Sequence, residues 1–145
     1  MSLWVKIDAG NYPNQYRGVF ISRRTDETGL WGLCFENKTL IVYENGTRRY
    51  LKVLNDSTWI MISLIVAEGK GYLYINGLFD SSFTYNYMEI LGFTYIGCDN
   101  LPVTTSQNNR GLRGYLDEIS IWSRALTSAE INALYNENNG LEIQL

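Results

Sequence analysis

The sequence predicts an all-β protein, an antiparallel β-sandwich with one short C-terminal helix. Short runs rich in β-branched and aromatic residues recur along the chain of 145 residues. The 13 glycines, against two prolines, indicate many tight turns. The sequence contains no internal repeat, which disfavours a solenoid or propeller. A chain of this length is expected to form a single domain over residues 1–145.

The predicted strands are separated by turn signals at the spacing of a sandwich or barrel. In two places the turn is an Asn-Gly pair, Asn45-Gly46 and Asn76-Gly77, which suits the positive φ angles of a type I′ hairpin. The predicted strands are Leu3–Ile7, Val19–Arg23, Leu30–Glu36, Thr39–Glu44, Thr47–Val53, Trp59–Val66, Gly71–Ile75, Tyr87–Leu91, Phe93–Cys98 and Gly114–Trp122.

Hydrophobic patterning predicts where two of these strands lie. The run Trp59–Val66 is almost entirely apolar, which is typical of a central strand buried on both faces. The run Thr47–Val53 alternates more and is expected to have one face in water. The hydrophobic core is therefore expected around the strand Trp59–Val66.

The last predicted strand contains a break in its alternation. Leu116, Ile119 and Ile121 cannot share one face of a regular strand, and a β-bulge near Asp117 and Glu118 would restore a common face. We expect Asp117 to accept hydrogen bonds from backbone donors at this bulge. The alternative is a role as a calcium ligand, since Ca²⁺ prefers carboxylate and carbonyl oxygens.

A capped helix is predicted after this strand. Thr127 is the expected N-cap and Glu130, three residues later, completes a capping box. One helix face should pack inward through Ile131, Leu134 and Tyr135. The polar segment 138–140 is expected to end the helix.

Composition and charge exclude several classes of function. A net charge of −3 without a basic run argues against a nucleic-acid partner. No apolar run is long enough to cross a bilayer, so we expect no membrane insertion, and the sequence shows no secretion-signal pattern. Cys34 and Cys98 are too few for a disulfide framework and are expected to be free thiols.

The residue types argue against an enzyme. The chain has no His, the commonest general base and metal ligand. Its adjacent acidic pairs, Asp26-Glu27 and Asp117-Glu118, are expected to diverge because neighbours on a strand point to opposite faces. We therefore predict no catalytic residues.

Two regions hold candidate ligand-binding residues. The long polar segment 99–110 offers Asp99, Asn100, Asn108 and Arg110 to sugar hydroxyls, and a structured loop of this length usually has a function. Asp99 and Asn100 are also candidate metal ligands, together with Asp117 at the predicted bulge. The alternative is a solvated connection.

Aromatic residues form the second candidate region. Tyr85 and Tyr87 would offer an exposed aromatic plane beside polar groups, as a sugar-binding face requires. The alternative places both rings in the core.

Four segments in order resemble a laminin-G-like domain of the concanavalin A-like family of lectins and glucanases. The resemblance covers roughly residues 2 to 140 and implies a jelly-roll sandwich. It also implies structural roles for Trp59, Asn76, Gly77 and Asp117, beside the capping residues. The matching segments are Trp59–Leu64, Gly71–Gly77, Tyr95–Gly97 and Gly111–Glu130.

The resemblance implies a loose class of function. Such domains mostly bind carbohydrates or proteins outside cells or on particle surfaces, and often hold Ca²⁺. The acidic pattern of the family's glucanases has no counterpart here. We expect a non-catalytic carbohydrate-binding or adhesive module of a larger surface or secreted protein, with a glycan or protein ligand. The alternative is a structural or assembly domain of a viral or bacterial surface protein.

The N-terminal strands usual in the family have no counterpart before Leu3. Three interpretations follow: the domain is complete without them, the segment Leu141–Leu145 covers the open sheet edge, or the edge pairs with a second copy in a homo-oligomer.

Overall fold

The computed structural model describes residues 1–8, 17–23, 30–44, 47–54, 57–85, 93–98 and 111–136. They form two five-stranded sheets and one helix, which confirms the all-β prediction. The elements are β1 (Ser2–Ile7), β2 (Arg17–Arg23), β3 (Leu30–Glu36), β4 (Thr39–Glu44), β5 (Thr47–Val53), β6 (Trp59–Ala67), β7 (Lys70–Ile75), β8 (Leu78–Thr84), β9 (Phe93–Ile96), β10 (Gly114–Ser120) and α1 (Ser128–Tyr135).

The chain divides into two compact units, each built around one sheet. The first unit comprises Met1–Lys6, Thr58–Tyr87 and Leu116–Leu145, and its sheet has the order β10-β1-β6-β7-β8. The second comprises Ile7–Ser57 and Met88–Tyr115, and its sheet has the order β5-β4-β3-β2-β9. The described residues contain no helix long and apolar enough to cross a membrane.

Strand β6 is the central strand of the first unit, as its apolar sequence predicts. It pairs antiparallel with β1, where Trp4 lies opposite Met61, and with β7. The six residues after Trp59 are all buried. The predicted burial of both faces is therefore confirmed.

Helix α1 covers part of one face of this sheet. Ile131 is fully buried in a cluster with Trp4, Met61 and Ile65. Leu134 and Tyr135 are half-buried against the same cluster, so the predicted packing face is confirmed. The helix ends earlier than expected. Its C-cap is Asn136, in the left-handed conformation (φ 44°), and the segment 138–140 lies outside the described residues.

Several hairpins close through pairs of residues with positive φ. The predicted Asn76-Gly77 turn has φ angles of 51° and 78°, which join β7 to β8. Equivalent turns at Asn37-Lys38 and Glu68-Gly69 were not evident from the sequence. The Asn45-Gly46 turn lies outside the described residues, although Glu44 pairs with Thr47 on either side of it.

In the second unit, β5 is an edge strand and no residue in it is fully buried, which confirms the predicted wet face. Next to it, β4 is largely buried. Cys34 on β3 packs with Ile21 and Ile41. Neither Cys34 nor Cys98 forms a disulfide bond, as expected.

The strand prediction was wrong at β8, which the sequence analysis left without a strand. The segment carries Asp80, Ser81 and Ser82, residue types with low β-propensity. It is a strand because the preceding turn pairs it with β7. The predicted strand Tyr87–Leu91 lies outside the described residues.

Candidate functional site

Two cavities in the first unit share Trp4, Asp117 and Glu118 and together form one groove. The larger has a volume of about 390 Å³ and the smaller about 180 Å³. The smaller is completed by Trp59. The larger is completed by Ser2, Leu3, Met61, Ile119, Ser120 and Leu134. We call this pair the Trp59 groove.

Two tryptophans of neighbouring strands form its aromatic part. Trp59 begins β6 opposite Lys6, and Trp4 lies opposite Met61, so both indoles are on the same face of the sheet. Trp59 is 38% exposed, whereas Trp4 is only 6% exposed and stacks on Tyr135 with ring centroids 5.7 Å apart. Trp59 is therefore accessible to a ligand, whereas Trp4 is a buried, packed part of the groove lining.

The acidic part comes from the break in strand β10. Glu118 has a φ of 45°, so the strand leaves extended geometry where the sequence predicts a bulge. The Glu118 backbone N–H donates to Asp117 Oδ1 at 2.8 Å, which confirms that Asp117 satisfies a backbone donor there. Both residues are exposed and both line the two cavities. The left-handed Glu118 interrupts the regular strand alternation on which the predicted divergence of the two side chains rests.

The groove residues do not by themselves make a calcium site. Asp117 has one carboxylate beside it, Glu118, and one of its oxygens already accepts a backbone hydrogen bond. Across the described part of the chain, no three His, Cys, Asp or Glu side chains are grouped as metal ligands. The other predicted ligands, Asp99 and Asn100, lie outside the described residues.

The remaining predicted ligand-binding residues have different outcomes. Tyr85 is 1% exposed and its ring contacts Phe83 edge-on, so the expectation of an exposed ring there was wrong. Burial follows from its place directly after β8, where its N–H donates to the Gly69 carbonyl at 2.9 Å. Tyr87, Asn108 and Arg110 lie outside the described residues.

Asn76 and Gly77 have the structural environment expected of them. The Asn76 N–H donates to the Met61 carbonyl, and Asn76 Oδ1 accepts from the Met61 N–H, both at 2.9 Å. A Cβ added at Gly77 would meet Tyr135 Cβ at 3.1 Å. The turn thus fixes β6 and supports the helix beside the groove.

The helix start carries the predicted capping box. Thr127 Oγ1 accepts from the Glu130 N–H at 3.3 Å, and the Thr127 N–H donates to Glu130 Oε2 at 2.8 Å. Arg124, which the sequence analysis did not single out, donates two hydrogen bonds to the same carboxylate at 2.9 and 2.5 Å. The Arg124 bonds, then those from Thr127, lower the pKa of Glu130 to about 2.

Sequence reasoning missed the groove as a site, because it gave Trp59 a structural role only and considered Asp117 as a bulge residue or a calcium ligand, not as part of a sugar-binding site. One available signal was Trp59 itself, a large aromatic residue at the entrance to an apolar strand. The pairing that brings β10 beside β1 links segments far apart in sequence, so no local pattern reveals the groove.

Comparison with solved structures shows the fold. A candidate carbohydrate-binding protein from Bacteroides ovatus matches with a TM-score of 0.68 and 16% identity, over 90% of this chain and 38% of that one. Domain 4 of AbnA, an extracellular arabinanase from Geobacillus stearothermophilus solved with arabinotriose, matches with a TM-score of 0.65 and 19% identity, over 91% and 63%. A mutant Trypanosoma rangeli sialidase with trans-sialidase activity matches with a TM-score of 0.70 and 18% identity, over 97% and 23%.

This chain thus spans well under two thirds of the Bacteroides ovatus protein, and these identities show the fold alone. A comparison with curated proteins finds no match. The laminin-G family, described as the concanavalin A-like lectin/glucanases superfamily, matches residues 1–132. Its jelly-roll sandwich is the fold that the sequence resemblance implies. Because the match covers most of the chain, this protein belongs to the concanavalin A-like lectin/glucanases superfamily.

Proposed function

We propose that this chain is a non-catalytic carbohydrate-binding or adhesive module of a larger surface or secreted protein, and that it binds glycans in the Trp59 groove. The observation that carries the proposal is the exposed Trp59 ring beside two carboxylates, Asp117 and Glu118, in one groove. This combination offers an apolar partner for the C–H face of a sugar and polar partners for its hydroxyl groups.

The chemistry of the groove fits a sugar ring. The C–H face of a pyranose is apolar and stacks on an indole, which contributes a large, rigid contact area. Hydroxyl groups at the ring edge donate hydrogen bonds to carboxylates, and such charge-assisted bonds are about twice as strong as neutral ones. Mostly apolar walls with a few polar groups are typical of small-molecule sites.

The relatives support the same class of function. Their descriptions include a candidate carbohydrate-binding protein and an arabinanase domain solved with arabinotriose. The sialidase relative is an enzyme, but this chain covers only 23% of its length. A binding role is therefore better supported than a catalytic one.

A glycan array with three proteins tests the proposal. We expect wild type to bind, Trp59→Ala to lose binding, and Trp122→Ala to retain it. Trp122 is the matched control because it is also 38% exposed but does not line the groove. An array that stays blank with and without calcium would overturn the proposal, and release of free sugar from a bound glycan would contradict the non-catalytic role.

Calcium binding is a separate part of the proposal, with Asp117, Asp99 and Asn100 as the ligands. An ion that binds only the native state raises the melting temperature with its concentration. We expect calcium to raise it in wild type and to raise it less in Asp117→Asn. An unchanged melting temperature at millimolar calcium would rule the site out.

An assembly role is the second candidate, favoured by the edge strand β8. Leu78 and Phe79 on this strand are 69% and 57% exposed, and β8 lies at the edge of its sheet among the described strands. An edge strand with apolar side chains favours pairing with another copy. Light scattering over a range of concentrations tests it. A mass that stays monomeric would contradict this role, whereas a dimer that Phe79→Lys dissociates would support it.

A further inference from the structure

We propose that the Trp59 groove selects N-acetylated, uncharged hexosamine residues; the inference rests on the proposed function and names the sugar class. Three independent features carry it. They are the mostly apolar lining of the larger cavity, the buried indole N–H of Trp4, and the negative charge of the lining. An acetamido group fits all three, because it has a methyl group, a carbonyl acceptor and an uncharged N–H donor.

The larger cavity is mostly apolar, with Ser2, Ser120 and the two acidic residues as its polar lining. Leu3, Trp4, Met61, Ile119 and Leu134 contribute to its walls. Its volume of about 390 Å³ falls within the range of ligand sites. A hydroxyl group placed against these walls would lose its hydrogen bonds to water, whereas a methyl group would gain from burial. A sugar stacked on Trp59 therefore benefits from a substituent that ends in a methyl group.

The second feature is the indole N–H of Trp4. The side chain is more than nine-tenths buried and lines both cavities, and its Nε1 has no hydrogen-bond partner among the described residues. Buried donors normally have a partner, and a tryptophan N–H can only donate. The carbonyl of an acetamido group is a suitable acceptor. This N–H exposes less than 1 Å² to solvent, so side chains of the cavity wall must shift to admit that carbonyl.

The third feature is charge. The described lining of both cavities includes Asp117 and Glu118 but neither Lys nor Arg. The nearest cation in the strand register is Lys6, half-buried opposite Trp59. A sialic acid, uronic acid or sulfated sugar would meet like charge. The N–H of an acetamido group can instead donate to one of the carboxylates.

Calorimetry with three trisaccharides tests the selection. The ligands are a trimer of N-acetylglucosamine, the glucose trimer of the same linkage, and a trimer with a carboxylated sugar. We expect wild type to bind the N-acetylated trimer about tenfold more tightly than the glucose trimer, as one recovered buried hydrogen bond allows. The carboxylated trimer should bind most weakly.

Trp4→Phe isolates the indole N–H, because it keeps an aromatic ring against Tyr135 and removes the donor. We expect the ratio of the two affinities, N-acetylated trimer over glucose trimer, to fall about five- to tenfold. Trp122→Phe is the matched control and should leave all affinities unchanged. Should Trp4→Phe fail to fold, saturation-transfer NMR on wild type replaces it, with the acetamido methyl expected to receive the largest transfer.

The outcomes separate the two proposals. If no trisaccharide or array glycan binds, the carbohydrate-binding function fails. If glycans bind but the glucose and N-acetylated trimers bind equally, or if Trp4→Phe keeps the full preference, the N-acetyl selection is wrong and the function stands.

Discussion

Gly77 and Gly69 occupy similar backbone conformations in very different surroundings. Their φ angles are 78° and 72°. A Cβ at Gly77 would approach Tyr135 and Asn132 of α1 at 3.1 and 3.3 Å, whereas at Gly69 the nearest atom would be 3.9 Å away. The two glycines therefore share the cost of a left-handed residue and differ in packing.

This difference gives a matched pair of substitutions. Gly69→Ala should destabilise the protein by about 1 kcal/mol through left-handed strain. Gly77→Ala should cost about 1–2 kcal/mol more, because the added methyl also pushes on the helix. Urea unfolding of both variants measures the difference. Equal losses of stability would show that helix α1 moves to accommodate the methyl group added at residue 77 without a measurable cost.

At single residues, sequence reasoning was right where the requirement is local. The Thr127 cap and the positive φ of Asn76 follow from nearby chemistry. The environment of Tyr85 did not, because its burial depends on strand β8, which the sequence did not reveal. Likewise Trp59 meets Asp117 and Glu118 only through long-range pairing.

Helix α1 is short, so its N-terminal cap should contribute a large share of its stability. Thr127→Ala removes the side-chain acceptor for the Glu130 N–H and should cost about 1 kcal/mol. Thr127→Ser keeps the acceptor and should cost much less. Thermal melting of both variants compares them. Equal losses would mean that the hydroxyl contributes nothing.

The same helix start predicts a dependence on acid. The pKa of Glu130 is lowered to about 2, first by Arg124 and then by Thr127, against about 4.3 in an unfolded chain. A lowered pKa stabilises the fold above pH 4.3, and this contribution is lost as the pH falls towards 2. The effect should be small and sensitive to salt because the pair is exposed.

Melting curves of wild type and Glu130→Gln between pH 7 and pH 2 measure this contribution. We expect wild type to melt at the higher temperature at pH 7 and the two curves to converge near pH 2. A gap that persists unchanged at pH 2 would mean that the ion pair is not its source.

At the scale of elements, most strands followed from β-branched and aromatic composition, and β6 followed from its continuous apolar run. Composition did not predict strand β8, because the middle of this strand consists of Asp80, Ser81 and Ser82. Its strand geometry comes from the turn before it and the partner beside it. Composition carries information about neither.

Across the whole molecule, the two thiols should differ in reactivity. Neither forms a disulfide bond, but Cys34 is 2% exposed whereas Cys98 is half-buried. Because the thiolate must reach the reagent, Cys98 should react with a maleimide well before Cys34. Mass spectrometry at successive times counts the labels, with two added after denaturation without reductant. A single label after denaturation would contradict the free state of one thiol.

The pairing of β1 with β6 has a consequence for the order in which the first unit folds. Strands β6, β7 and β8 follow one another through tight turns, whereas β1 reaches β6 only after four intervening strands. Closing that long stretch of chain costs entropy before its contacts form. We therefore expect the three-strand meander to form early in refolding and β1 to add late. Substitutions at Asn76 should then slow refolding, while those at Trp4 should chiefly hasten unfolding.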